Sequence, residues 1–161
     1  MSTEQSLDAL LSLLELERNG RDQALLGLRD AQSQAEHASV QARTLDAYRA
    51  EYVQRWTGRL RTGSSVELLQ CYQGFMQRLD HAIGQQRDIV AQAEMRLHQA
   101  QQALREREQR LGSVEKLIER RQQQQHRHAA RREQSLADEV ALRLHERKRL
   151  AQRDGGNDTV T

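Results

Sequence analysis

Residues 56–75, WTGRLRTGSSVELLQCYQGF, hold three of the chain's nine glycines, its only Trp, its only Phe and its only Cys, in a chain of 161 residues that has no proline. On both sides run long stretches rich in Ala, Leu, Glu, Arg and Gln, residues that favour helix. The quoted stretch is therefore a turn between two long helices. Gly58, Gly63 and the run Thr62–Gly63–Ser64–Ser65 supply turn residues, and Ser65 before Val66–Glu67–Leu68–Leu69 reads as an N-cap with an acidic residue in the first helical turn.

C-terminal to the turn, large aliphatic residues recur every seven positions at Leu69, Met76, Ile83, Val90, Leu97, Leu104, Leu111 and Ile118. Such a ladder is the seam of a coiled coil. A companion row three residues on, Tyr72, Leu79, Gln86, Ala93, Ala100, Arg107, Val114 and Arg121, is partly polar. The N-terminal third carries a smaller seam of Leu7, Leu14, Leu28, Ala35 and Ala42, beside Leu10, Ala24, Ala31, Ala38, Leu45 and Tyr52, interrupted at Glu17 and Arg21. A helix with alanine in its seam buries little area by itself and needs its larger neighbour.

A short loop makes the two helices antiparallel, so facing residues have numbers that sum to about 124, from Tyr52 opposite Tyr72 to Leu45 opposite Leu79. The expected fold is all-α: a long antiparallel two-helix coiled-coil hairpin with unequal arms. A single hairpin spans residues 1–153, with one helix over about 3–58, a turn over about 59–64 and a second helix over about 65–150. At 1.5 Å per residue the arms would measure about 80 Å and about 130 Å. Beyond residue 122 the second arm has no facing residues, the ladder stops, and the end is expected to fray unless a partner covers it. Residues 154–161, with two glycines and no periodicity, read as a disordered tail.

With 37% apolar and 3% aromatic residues, the composition fills only a thin core. It offers no glycine-rich phosphate loop, no nucleophile beside a base and no pocket that would hold paired carboxylates, so no enzymatic activity is expected. No cofactor is implied. His126 and His128, two residues apart, fall on different helix faces and make a poor metal pair. The lone Cys71 has no partner in the chain and fits a reducing compartment, hence a cytoplasmic location. The acidic, Leu-rich N-terminus lacks the features of an export signal, and no run has the length of a membrane span.

Charge is uneven. Residues 1–104 hold 11 Lys or Arg against 13 Asp or Glu, whereas residues 105–153 hold 14 against 8. The basic arm suits an acidic protein surface, with Arg120, Arg121, Arg127, Arg131, Arg132 and Arg143 as its candidate contacts, or is simply a solvated flank. Nucleic acid is a poor partner for it, because Glu133, Asp138, Glu139 and Glu146 interrupt the positive charge. All five aromatic residues, Tyr48, Tyr52, Trp56, Tyr72 and Phe75, gather at the turn end, where they either thicken the core or form a protein-binding patch.

The segment LDAYRAEYVQRWTGRLRTGSSVELLQCYQGFMQRLDHAIGQQ, residues 45–86, resembles the FliJ family of the bacterial flagellar type III export apparatus, which is related to the stalk proteins of virulence type III secretion. The resemblance rests on YRAEY, on a Gly eleven residues past its second Tyr, and on YQGFMQRLDHAI nine residues after that Gly, and it covers about residues 41–86. It implies an antiparallel coiled-coil stalk whose terminal end sits in the hexameric export ATPase. The region near the turn would touch the cytoplasmic domain of the export gate, and export chaperones would be further partners. The gate-facing residues carried over are Gln41, Leu45, Tyr48 and Tyr52 on the first helix and Phe75, Leu79 and Ala82 on the second. At the end of that patch, where the flagellar pattern has a basic or His residue, this chain has Gln86. The resemblance places the protein at the cytoplasmic face of the inner membrane, at the flagellar base. The readings set beside it are a structural coiled-coil dimer and the equivalent stalk of a virulence secretion system.

Overall fold

The computed structural model describes residues 2–154, and side chains over residues 6–153. Two helices account for all of it but the turn: α1, Ser2–Arg61, and α2, Val66–Asp154. The arms are unequal, at 60 and 89 residues. The tail reading at 154–161 falls almost wholly outside the described residues. The described residues fall into two compact units, Leu14–Gly112 and a second drawn from Met1–Leu13 and Ser113–Thr161.

The turn is built from the residues quoted at the outset. α1 continues through Gly58 to Arg61, because one helical glycine costs only about 1 kcal/mol and Arg59, Leu60 and Arg61 are good helix formers. The backbone N–H and side-chain hydroxyl of Thr62 both donate to the Arg59 carbonyl, at 3.2 and 2.8 Å. Gly63 then takes a φ of 91°, a left-handed conformation that a side chain would strain. Ser65 caps α2 as its sequence predicts: its Oγ accepts from the Leu68 N–H at 3.3 Å, its carbonyl accepts from the Leu69 N–H at 3.2 Å, and Glu67 lies in the first turn.

Within Leu14–Gly112 the arms pair at the expected sum. Tyr52 stacks on Tyr72 with ring centroids 6.2 Å apart. Leu45 packs against a buried cluster of Met76, Leu79 and Ile83. Ala38 and Gln86 meet through a hydrogen bond, and Glu17 meets Arg107. Along the ladder Met76, Ile83 and Leu111 are buried and Val90, Leu97 and Leu104 half-buried. Leu69, read as the first rung, is instead exposed. Its facing position is Arg55, whose guanidinium turns back to Glu51 on its own helix at 2.5 Å, so the seam begins at Tyr72.

The polar interruptions on the two arms answer one another. The Gln86 side chain, buried in the seam, donates to the Ala38 carbonyl at 3.0 Å and to Gln41 Oε1 at 3.4 Å. Glu17, which breaks the α1 seam, faces Arg107, which breaks the α2 row, at 4.0 Å. The Glu17 Oε2 atom is buried without a hydrogen bond, so this pair is held by charge alone. Arg21, the other interruption, reaches the neighbouring Asp22 at 2.9 Å. In the second unit Arg121 donates to Ser6 Oγ at 2.8 Å, beside the buried Val114 and Ile118. Buried polar positions of this kind fix register, because sliding one helix would leave them unpaired.

Beyond Gln125 no described side chain is buried, yet α2 runs unbroken to Asp154. Between Gly112 and Asp154 the sequence has neither Gly nor Pro, and helix propensity carries the backbone where packing no longer does. A direct check of the pairing uses Leu45→Cys with Leu79→Cys in a Cys71→Ser background. An intramolecular disulfide is expected, since the bond requires Cα atoms within about 7 Å. Cross-links only between chains would exclude the hairpin.

Candidate partner-binding site

α1 presents Tyr48, Tyr52 and Trp56 at four-residue spacing, one above another, and α2 brings Tyr72 and Phe75 against them. The five rings grade from inside to outside. Trp56 is buried, 5.1 Å from Tyr72, while Tyr52, half-buried, lies 4.3 Å from Phe75. Tyr48 is the outermost at 48% exposed, stacked on Tyr52 at 6.2 Å and edge-on to Phe75 at 6.5 Å. Trp56 thus thickens the core, whereas the Tyr48 ring stands half in solvent.

The seven residues predicted to face the export gate fall on the same stretch of the hairpin but at different depths. Gln41 and Tyr48 are exposed, and Leu45, Tyr52, Phe75 and Ala82 are half-buried. Leu79 is buried in the aliphatic cluster against which Leu45, Tyr52 and Phe75 pack. Gln86, at the margin of the patch, points into the seam.

Beside Tyr48 lies a charged flank that the seam reading does not reach. Arg49 Nε donates to Asp80 Oδ1 across the hairpin at 2.6 Å, and Asp46 and Arg87 approach to 3.8 Å. The hydrogen bond from Arg49 holds the Asp80 carboxyl below the usual carboxylate range, and the same bond raises Arg49 further. These four residues, with Ala50, Ile83 and Gly84, line an open groove next to the rings. Positions flanking a seam are where coiled coils place interhelical ion pairs, so opposite charges there were the available signal.

Of the arginines assigned to the basic arm, Arg120 and Arg121 line a shallow apolar groove with Ala9, Leu10, Leu13 and Leu117, and Arg121 is occupied by Ser6. Arg127, Arg131 and Arg132 are exposed, and Arg143 pairs with Glu139 one turn earlier at 2.6 Å. Among the described residues there is no group of three or more His, Cys, Asp or Glu that could hold a metal, and no helix long and apolar enough to cross a membrane.

Fold and surface together define an all-α coiled-coil hairpin whose side-chain chemistry lies in patches along two helices. The family model for the flagellar FliJ protein matches residues 6–150, nearly the whole chain, and the protein belongs to that family, a non-enzymatic component of flagellar export. Comparisons with curated proteins and with solved structures find no match.

Proposed function

We propose that this chain is the non-enzymatic central stalk of a flagellar type III export apparatus. It couples the hexameric export ATPase to the cytoplasmic domain of the export gate and escorts export chaperones, at the cytoplasmic face of the inner membrane. The observation that carries this reading is the ring cluster at the turn: Tyr48 stands half in solvent against Tyr52 and Phe75, which themselves pack on the buried Met76–Leu79–Ile83 cluster. A rigidly backed, partly exposed aromatic group is what an interface anchor requires. The excess of positive charge after residue 105 supports placing the ATPase at the other end, where many modest contacts to an acidic wall would hold a helix.

Removal of residues 123–161 tests the arrangement. Stimulation of ATP hydrolysis by the purified ATPase should be abolished, whereas the melting of the remaining hairpin should be unchanged, because its buried residues end at Ile118. Full stimulation by the shortened chain would mean that the arm is a solvated flank. A pull-down with the gate's cytoplasmic domain on the same shortened chain should still succeed.

A further inference from the structure

On the unpaired part of α2, Leu136, Val140 and Leu144 are exposed at 62%, 56% and 55%. Their spacing of four continues in both directions as Ala129, Glu133, Leu136, Val140, Leu144, Arg147 and Ala151, at steps of four, three, four, four, three and four. The steps read the same from either end. The apolar residues do as well, since about Val140 Leu136 mirrors Leu144 and Ala129 mirrors Ala151, while acidic Glu133 mirrors its complement, basic Arg147. This row follows an 11-residue repeat, about 3.67 residues per turn, close enough to the helix's own 3.6 that it stays on one face with little supercoiling.

A row that is its own mirror image about one residue fits a second copy of itself laid antiparallel across a two-fold axis. From this self-complementarity we infer that residues 129–151 form a homodimer contact, with Val140 on the axis. Leu136 of each copy then covers Leu144 of the other, and Glu133 of each meets Arg147 of the other, so two ion pairs form for one contact. Small Ala129 and Ala151 close the ends. Residues 129–151 hold six Lys or Arg against four Asp or Glu, and Arg143 is already paired with Glu139 within its own helix, so each copy brings a net charge of only +2 to the contact and the repulsion between copies is small. Leu142, as exposed as the others at 66%, lies on the opposite face and takes no part. The contact is about three heptads long, so the dimer is weak and concentration-dependent. This inference does not rest on the stalk reading.

The test uses the full chain, in which every side chain to be changed is exposed and its replacement removes no core packing. In a Cys71→Ser background, Val140→Cys should give a disulfide-linked dimer under mild oxidation, and Leu142→Cys should not. Sedimentation equilibrium of the unaltered protein should show a mass rising toward twice that of one chain with concentration, and Leu136→Glu should hold it at the monomer. Glu133→Arg or Arg147→Glu alone should weaken association about tenfold, the scale of losing two exposed ion pairs, and the double exchange should restore it. A monomer at every concentration would overturn the proposal and leave the row to a different chain. Equal cross-linking at positions 140 and 142, or no restoration by the double exchange, would overturn it as well.

Discussion

Replacing Trp56 with alanine should lower the stability of the hairpin by about 3–5 kcal/mol, the range for removing a large aromatic side chain from a core. Trp56 is the largest buried side chain at the turn end, where its ring contacts both Tyr52 and Tyr72. With it gone, the turn end loses the ring that covers Tyr72, and the contacts of Tyr52 with Tyr72 and Phe75 and the Met76–Leu79–Ile83 cluster remain to hold α1 to α2. Because the substitution removes the chain's only Trp, the measurement is urea unfolding followed by circular dichroism. A loss under about 1 kcal/mol would mean that the ring stack lies on the hairpin without stabilising it.

Tyr48→Ala should separate binding from folding. Its ring is 48% exposed and its ring neighbours lie at centroid distances above 6 Å, so folding should lose about 1 kcal/mol, the value of an aromatic pair at a surface. Affinity for the purified gate domain should fall by about 2 kcal/mol or more, roughly thirtyfold, as for an interface hot spot. Phe75→Ala, in contrast, should lose both, since Phe75 packs on the Met76–Leu79–Ile83 cluster and lies 4.3 Å from Tyr52. Melting curves and binding measured on the same proteins decide the matter. A Tyr48→Ala protein that melts early but binds the gate normally would remove Tyr48 from the interface.

The hairpin was legible in the sequence because its signals are periodic and local. A seven-residue ladder, a glycine and serine turn, and a single number for facing residues are all functions of spacing. Leu69 was misplaced for the same reason: spacing assigns it a rung, but whether a rung is covered depends on what faces it, and Arg55 prefers Glu51. Of the candidate site, its location could be read from clustered aromatic residues, but the order of depth from Trp56 to Tyr48 required the packed helices. The same was true of the Arg49–Asp80 bond, because it joins residues 31 apart at positions off the seam. The row centred on Val140 has no heptad period because it repeats in elevens, so in sevens the arm carries no pattern after Ile118.

The shared sum that relates Tyr52 to Tyr72, Ala38 to Gln86 and Glu17 to Arg107 also sets rules for insertion and deletion. Suppose seven residues were lost from α1 between Glu17 and Ala38. Glu17 would then face Ala100, and Arg107 would lose its carboxylate, although each helix alone would keep its seam in phase. Loss of the facing seven residues from α2 would bring the two back opposite each other. In this part of the chain, length can therefore change without breaking a polar pair only as matched heptads, one from each arm, about the glycine turn. The arm beyond Gln125 answers to no such rule within the chain, so there a change of length in one helix needs no echo in the other.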